Sequence, residues 1–166
     1  MPHAEQIRIR PMTEADLAQV MEIEEENFAV PWSEKSFRDM LARPETVFLV
    51  AEEIPAEETD VSAPRFLAGY AGALTVWEQG DVTNIAVRDV RKRRGIGALL
   101  LESLLAEAAG NGVTEMFLEV REHNEPAKEL YRSHGFSPVG IRKGYYTDTR
   151  EDAIVMKRLL SSEITG

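Results

Sequence analysis

The chain has no cysteine among its 166 residues. A disulfide framework, a thiolate metal site and a cysteine nucleophile are therefore excluded. Its three histidines show no spacing typical of metal ligands, so we expect no metal. The sequence also lacks a run of about 20 apolar residues, the length that a membrane span requires, and its first residues lack the apolar segment of a signal peptide. We expect a cytoplasmic protein with no membrane partner.

Positive charge is scarce as well. The chain carries 19 Lys and Arg residues against 29 Asp and Glu residues, which gives a formal net charge of -10. This balance argues against free nucleic acid as a partner, and it favours either solubility alone or a cationic partner. The length fits one domain, residues 1–166 with a core at about 6–159, and we expect a monomer.

The most informative stretch runs from Val82 to Leu105. It opens with β-branched residues that predict a strand, and Gly95 and Gly97 then predict a turn. Beyond the turn, apolar residues recur at three- and four-residue spacing, which predicts a helix with one buried face. The predicted inward residues are Ile96, Leu99, Leu100, Leu104, Leu105 and Ala108.

The start of this helix is a candidate anion site. Its first N–H groups have no partner within the helix and carry the positive end of the helix dipole, and the cationic residues Arg91 to Arg94 precede it. Together these groups suit a phosphate or pyrophosphate. The alternative is an ordinary strand-to-helix turn beside a solvated basic segment. Two nucleotide motifs are excluded, because Leu100 replaces the third glycine of a dinucleotide fingerprint and no Gly-Lys-Ser/Thr is present.

Short sequence signals mark the ends of the other helices. Thr13 with Asp16, Ser33 and Asn124 are predicted N-caps, and Gly135 is predicted to follow the last helix. These signals indicate an alternation of strands and helices along the whole chain.

Two acidic segments have alternative interpretations. The first predicted helix ends among the glutamates Glu22 and Glu24 to Glu26. Negative charge at a helix C-terminus interacts unfavourably with the helix dipole, at a cost of up to about 1 kcal/mol. These acids are either tolerated on the surface or available to a basic peptide. The segment Glu52 to Arg65 holds two prolines and is predicted to be a mobile connection.

One carboxylate occurs within an otherwise apolar strand. Residues 114–121 (TEMFLEVR) alternate in polarity, so that Glu119 lies on the face opposite to its immediate neighbours. A carboxylate there is costly unless it is paired or exposed in a cleft. It is either in a salt bridge with Arg121 or another cation, or a catalytic group. Tyr131, on the inward stripe of the last helix, is likewise either a core residue or a functional one.

Two of these segments resemble a known family. Asn84-Ile85-Ala86-Val87, followed by Lys92-Arg93-Arg94-Gly95-Ile96-Gly97, is similar to the acetyl-CoA motif of the GCN5-related N-acetyltransferases (GNAT), with Lys92 where that family usually has Gln or Arg. The predicted order β-α-α-β-β-β-α-β-α-β-β resembles that family's α/β (α+β) fold, a mixed sheet of about seven strands with four helices. The resemblance implies that acetyl-CoA is the cofactor. The implied cofactor-binding residues are Ile85, Ala86 and Val87 for the pantetheine arm, and Arg93, Arg94, Gly95, Ile96, Gly97 and Ala98 for the pyrophosphate.

Within this superfamily the chain resembles the RimI family of ribosomal-protein alanine N-acetyltransferases. The matching residues include Pro31-Trp32-Ser33, Leu118-Glu119-Val120-Arg121, Leu130-Tyr131 and Arg142-Lys143-Gly144-Tyr145-Tyr146. The resemblance implies acetylation of the N-terminal alanine of protein eighteen of the small ribosomal subunit. Glu119 would be the base, Tyr131 the acid and a cofactor contact, and Asn124 a further cofactor contact. Without cysteine, direct transfer is the expected mechanism.

The acceptor peptide is expected between two aromatic loops, which carry Phe28 and Trp32 in the first and Tyr145 and Tyr146 in the second. For Phe28 and Trp32, packing beneath their loop is the alternative. Two other functions stay open: a small-molecule, polyamine-type amine N-acetyltransferase and a non-catalytic acetyl-CoA-binding module. The aromatic loops count against the first, and the presence of both candidate catalytic residues counts against the second.

Overall fold

The computed structural model of the protein describes residues 6–55 and 65–160. The elements in chain order are β1 (Ile7–Pro11), α1 (Leu17–Asn27), α2 (Glu34–Leu41), β2 (Thr46–Glu53), β3 (Leu67–Val76), β4 (Gln79–Val87), α3 (Ile96–Gly110), β5 (Glu115–Arg121), α4 (Glu125–Ser133), β6 (Ser137–Arg142) and β7 (Ala153–Leu159). The predicted order is confirmed. Across these ranges, four α-helices accompany one seven-stranded sheet with the order β1-β2-β3-β4-β5-β7-β6. None of these helices is long and apolar enough to cross a membrane.

The predicted helix ends are set by local hydrogen bonds. The chain turns after α4 at Gly135, whose φ of 89° is in the region that favours glycine. The predicted N-caps Ser33 and Asn124 are confirmed by bonds from Ser36 N to Ser33 Oγ at 3.1 Å and from Ala127 N to Asn124 Oδ1 at 3.2 Å. Thr13 precedes a 3₁₀ turn at Glu14–Asp16 that leads into α1, and its N–H donates to Asp16 Oδ2 at 2.8 Å.

Buried side chains form two clusters, which the helices divide between the two faces of the sheet. Helix α3 packs with residues such as Leu100 and Leu104 in one cluster, and α1 and α2 pack in the other. The predicted stripe of α3 is wrong at one point, because Leu99 is only half-buried while Leu101 is fully buried. The buried stripe is shifted because α3 contacts three strands, β2, β3 and β4.

Strands β4 and β5 run parallel and separate after a short pairing. Their pairs are Gln79 with Glu115, Gly80 with Met116 and Asp81 with Phe117. Beyond these, β4 remains paired with β3 and β5 remains paired with β7. The register of β4 with β3 shifts at Thr83, a bulge that bends the strand locally. The sheet is therefore open between residues 82–87 of β4 and 118–121 of β5, and we call this opening the wedge.

The acidic connection begins later than the sequence predicts. Glu52 and Glu53 belong to β2, and Glu52 is buried at 3% exposure. It accepts hydrogen bonds from Arg10 at 2.7 Å and from Arg8 at 3.1 Å, both on the neighbouring strand β1. The prediction was wrong here because paired cations across the ladder let a carboxylate occupy a buried strand position. The remainder of the predicted connection at 56–64 lies outside the described residues.

Glu24 is buried at 1% exposure, so its interpretation as a surface acid was wrong. One carboxyl oxygen accepts the hydroxyl hydrogen of Tyr70 on β3, and the other accepts the backbone N–H of Trp32 at 2.9 Å. The Tyr70 hydroxyl in turn accepts a hydrogen bond from the Asn84 side chain at 3.2 Å. Burial raises the pKa of Glu24, although these hydrogen bonds oppose the rise. The position faces the sheet, where protein hydrogen bonds replace water.

We expect Glu24→Ala to destabilise the protein by about 2–4 kcal/mol, because it leaves buried polar groups of Trp32 and Tyr70 without a partner. Glu24→Gln retains an acceptor and should cost less than half as much. Urea unfolding measures the free energy, and amide hydrogen exchange at Trp32 should accelerate in the alanine variant. The matched control is Glu25→Ala, since Glu25 is an exposed neighbour on the same helix. Equal stability of the two alanine variants would contradict the structural role of this hydrogen-bonded cluster.

Candidate active site

The first turn of α3 presents free backbone donors to one end of the wedge. Gly95 and Arg93 adopt left-handed φ values of 80° and 67°, which turn the chain sharply into the helix. The N–H groups of residues 93–98 make no hydrogen bond to another residue in the described ranges. A Cβ built on Gly95 would meet no atom within 4 Å, so the space in front of this turn is open. The turn can therefore accept an anion on several N–H groups at the positive end of the helix.

Only part of the predicted basic segment is available to such an anion. Arg91 is paired with Glu53 on β2, and Lys92 is paired with Asp89 at 2.9 Å. Arg93 and Arg94 are exposed and form no ion pair within residues 6–55 and 65–160. The two cations nearest the glycine turn therefore remain free to neutralise a bound phosphate.

The end of β4 forms one wall of the wedge. One edge of β4 at residues 85–87 pairs with β3, and the other edge is no longer paired with β5. The Asn27 side chain at the end of α1 donates to the Val87 carbonyl at 3.1 Å. A Cβ on Gly97 would lie 3.8 Å from Val87 and 3.7 Å from Leu130 of α4. The start of α3, the end of β4 and α4 thus converge around one point.

Glu119 lies on β5 at the opposite wall. Its side chain is 22% exposed, and its Oε2 is 3.3 Å from Nε of Arg142 on β6. Of the two partners that the sequence allowed, Arg121 or another cation, the structure has the second. Arg121 pairs instead with Asp148 at 3.0 Å and Glu151 at 3.5 Å. Burial raises the pKa of Glu119, the Arg142 charge opposes this rise, and the Asp81 charge adds to it. A carboxylate with a raised pKa in a cleft is a candidate proton acceptor.

Tyr131 approaches the wedge from the other face of the sheet. It is 7% exposed and belongs to the α3 cluster, as do Leu118 and Val120, whereas Glu119 between them points to the opposite face. Its ring packs edge-on against Phe136 at a centroid distance of 5.9 Å. Its hydroxyl forms no hydrogen bond to another described residue. Burial raises the pKa of Tyr131 well above its usual value, so this phenol keeps its proton at neutral pH.

Tyr146 lies within electrostatic reach of Glu119 and Tyr131. The charge of ionised Tyr146 raises the pKa of Tyr131, and the charge of Glu119 raises the pKa of Tyr146. Its ring lies 4.0 Å from the Arg121 guanidinium carbon, and burial raises its pKa to about 12. Tyr145 is exposed, with its ring 5.1 Å from that of Tyr146. The second aromatic loop therefore borders Glu119.

The first aromatic loop combines packing with exposure. Trp32 is half-buried, and its ring lies 5.1 Å from Phe37 and 6.4 Å from Phe48. Packing therefore accounts for much of the Trp32 surface. Phe28 is 37% exposed, so its ring remains accessible. Asn124 is also exposed, and its side-chain oxygen is engaged in capping α4.

Two charged residues near Glu119 were not recognised in the sequence as part of a site. The sequence analysis included Arg142 only as part of a segment that resembles the RimI family, and it predicted no role for Asp81. Asp81 pairs with Phe117, two residues before Glu119, at the last step before β4 and β5 separate. No local pattern marks this position, because the proximity depends on the register between strands far apart in the chain.

Comparisons with known proteins agree with this geometry. The Acetyltransferase (GNAT) family model matches residues 17–136. The [ribosomal protein bS18]-alanine N-acetyltransferase of Escherichia coli K12 is 35% identical over 150 residues, covering 89% of this chain and 94% of that protein. The N-alpha-acetyltransferase RimI of Mycobacterium tuberculosis is 34% identical over 160 residues, covering 93% of each.

A solved structure extends this similarity to three dimensions. The crystal structure of the ribosomal-protein-S18-alanine N-acetyltransferase from Escherichia coli has a TM-score of 0.79 and 34% identity, covering 93% of this chain and 94% of that chain. The matched family model spans both walls of the wedge and the first turn of α3. The match to the family model, the sequence identities and the shared fold show that the chain belongs to the GNAT acetyltransferase family.

Proposed function

We propose that this protein is an acetyl-CoA-dependent peptide N-acetyltransferase that modifies the N-terminal alanine of ribosomal protein bS18. The observation that carries the proposal is the approach of Glu119 and Tyr131 from opposite faces to one opening in the sheet. The substrate follows from the relatives, which are named for the alanine of bS18 or for N-alpha acetylation.

The residues around the wedge fit acetyl-CoA, which supplies an activated acetyl thioester when bound. The free N–H groups of residues 93–98 and the side chains of Arg93 and Arg94 suit its pyrophosphate. The unpaired edge of residues 85–87 offers backbone groups to the amides of a pantetheine arm. Asn124 retains its side-chain N–H₂ for a cofactor contact, because its oxygen alone is used in the cap.

Glu119 is proposed to accept the proton of the acceptor amine, directly or through a water molecule. The amine must be neutral to act as a nucleophile, and an α-amino group has a pKa of about 7.7–8.0 against about 10.4 for lysine. An N-terminal amine is therefore easier for the base to deprotonate than a lysine side chain is. The raised pKa of Glu119 brings this carboxylate closer to the pKa of its partner, which favours proton transfer.

Tyr131 is proposed to donate a proton to the leaving thiolate. Its phenol is protonated at neutral pH, because an ordinary tyrosine has a pKa of about 10 and burial raises the pKa of Tyr131 further. Its hydroxyl forms no hydrogen bond within residues 6–55 and 65–160, so it is available to a sulfur atom of the bound cofactor. Phe28, Trp32, Tyr145 and Tyr146 are proposed to line the path of the acceptor peptide, on the opposite face from the cofactor.

A panel of acceptors tests the proposed substrate. Peptides with the bS18 N-terminal sequence and variants beginning with Ala, Ser, Gly or Met are incubated with acetyl-CoA, together with a polyamine and an N-terminally blocked peptide that contains lysine. We expect acetylation at the α-amine with the alanine peptide preferred, as measured by mass spectrometry. Faster acetylation of the polyamine would instead favour a small-molecule enzyme, and no turnover of any acceptor would favour a binding module.

Substitution of the two proposed catalytic residues tests their roles. We expect Glu119→Gln and Tyr131→Phe each to lower kcat by about 10²-fold, a typical value for the loss of a general base or acid. The matched control is Glu115→Gln, on the same face of β5 but paired with Lys157 at 3.2 Å, which should retain kcat. Acetyl-CoA affinity by calorimetry shows whether the site is intact. If both variants stay within about threefold of wild type, the assigned roles are wrong.

A further inference from the structure

We propose that Asp81 is a positioning residue for the proposed base: it faces Glu119 where β4 and β5 separate, shares Arg142 with it, and keeps it able to accept a proton. This inference rests on the proposed function, in which Glu119 is the base. It assigns a role to a residue on a different strand, outside both the catalytic pair and the glycine turn.

Strand register brings the two carboxylates to the same face. Asp81 pairs with Phe117 in the parallel ladder, and paired residues of adjacent strands project to the same side. Glu119 follows Phe117 by two residues, so it projects to that side as well. The two carboxylates lie within electrostatic reach of each other, because the Asp81 charge raises the pKa of Glu119. Asp81 is exposed over the residue as a whole, while packing around its carboxylate still raises the pKa of that group.

Arg142 is the cation that acts on both carboxylates, through an ion pair with Glu119 and at longer range on Asp81. Its Nε lies 3.3 Å from Glu119 Oε2, and its charge lowers the pKa of Asp81 and of Glu119 alike. In both residues burial has the larger, opposite effect, so each pKa is raised. Without Asp81, the ion pair with Arg142 would lower the pKa of Glu119 and make it a weaker base. A second carboxylate beside the pair competes for Arg142 and raises the pKa of Glu119.

The other charged groups near Glu119 already have partners. Arg121 is paired with Asp148 and Glu151, and Lys157 is paired with Glu115. Tyr146 is neutral at working pH, because its pKa is raised to about 12. The balance between Arg142 and Asp81 therefore sets the charge environment of Glu119. Their opposite signs predict opposite effects on substitution.

The proton affinity of Glu119 can be measured without any acetyl transfer. The carboxyl carbon of Glu119 is followed by NMR in protein labelled at glutamate, and the signal is assigned by its loss in Glu119→Gln. We expect Asp81→Asn to lower the pKa of Glu119 by about half a pH unit or more, and Arg142→Gln to raise it by a similar amount. Asp81→Glu retains the charge and should restore the wild-type titration.

The same variants give a kinetic signature. Because Glu119 must be deprotonated to act, the acidic limb of kcat/KM should move to lower pH in Asp81→Asn and to higher pH in Arg142→Gln. In Asp81→Asn the plateau value of kcat should fall about two- to fivefold, since a weaker base accepts the proton less readily. KM for acetyl-CoA should not change. The matched control is Glu107→Gln, which removes one exposed negative charge near the far end of α3.

The outcomes separate this inference from the proposed function. If Glu119 titrates identically in wild type and Asp81→Asn, the inference is wrong, whatever the enzyme acetylates. Shifts of the same size in Glu107→Gln would also overturn it, because they would reflect net charge alone. If the NMR shifts occur as expected but no acceptor is acetylated, the coupling between the carboxylates stands and the proposed function fails.

Discussion

The short pairing of β4 with β5 is the constraint on which the site depends. Three residue pairs hold the two strands together, and beyond Asp81 and Phe117 their facing edges pair with no strand in the described part of the chain. Backbone groups inside a protein are normally paired, so an interrupted ladder in the middle of a sheet needs another partner. An extended ligand with amide groups can take that place. The bulge at Thr83 supports the separation, because it bends β4 where the ladder ends.

The same opening explains how two residues on opposite faces can act together. A continuous sheet would isolate Glu119 from Tyr131, since successive residues of β5 project to opposite sides and Tyr131 packs with the other set. At the wedge, a group that passes between the strands is accessible from both faces. In the proposed function, the first turn of α3 holds the anionic end of such a ligand beside the wall formed by Val87. The proposed function therefore depends on the separation of the strands for both cofactor binding and proton transfer.

Features encoded within a few residues were predictable from the sequence, and those that depend on strand register were not. The caps at Ser33 and Asn124 use a side chain and an N–H three residues apart, so local patterns identified them. Glu24 was misjudged because its burial depends on Tyr70, 46 residues later in the chain. The pairing of Glu119 with Arg142 rather than Arg121 follows from the order β5-β7-β6, which places β6 near β5. The basic segment was only partly understood, because Glu53 on β2 takes up Arg91.

Packing and function are not exclusive interpretations at this site. Tyr131 is a core residue by its burial, yet its hydroxyl is protonated at neutral pH and has no hydrogen-bond partner among the described residues, so it is available as a proton donor. The Trp32 ring packs against Phe37, and its backbone N–H donates to buried Glu24. Glu24 also accepts a hydrogen bond from Tyr70, whose hydroxyl accepts one from Asn84 beside the bulge in β4. The loop that carries Phe28 is thus tied to the strand that forms the wedge. Rigid packing of this kind limits the positions available to an acceptor, which is how a core can contribute to catalysis through orientation.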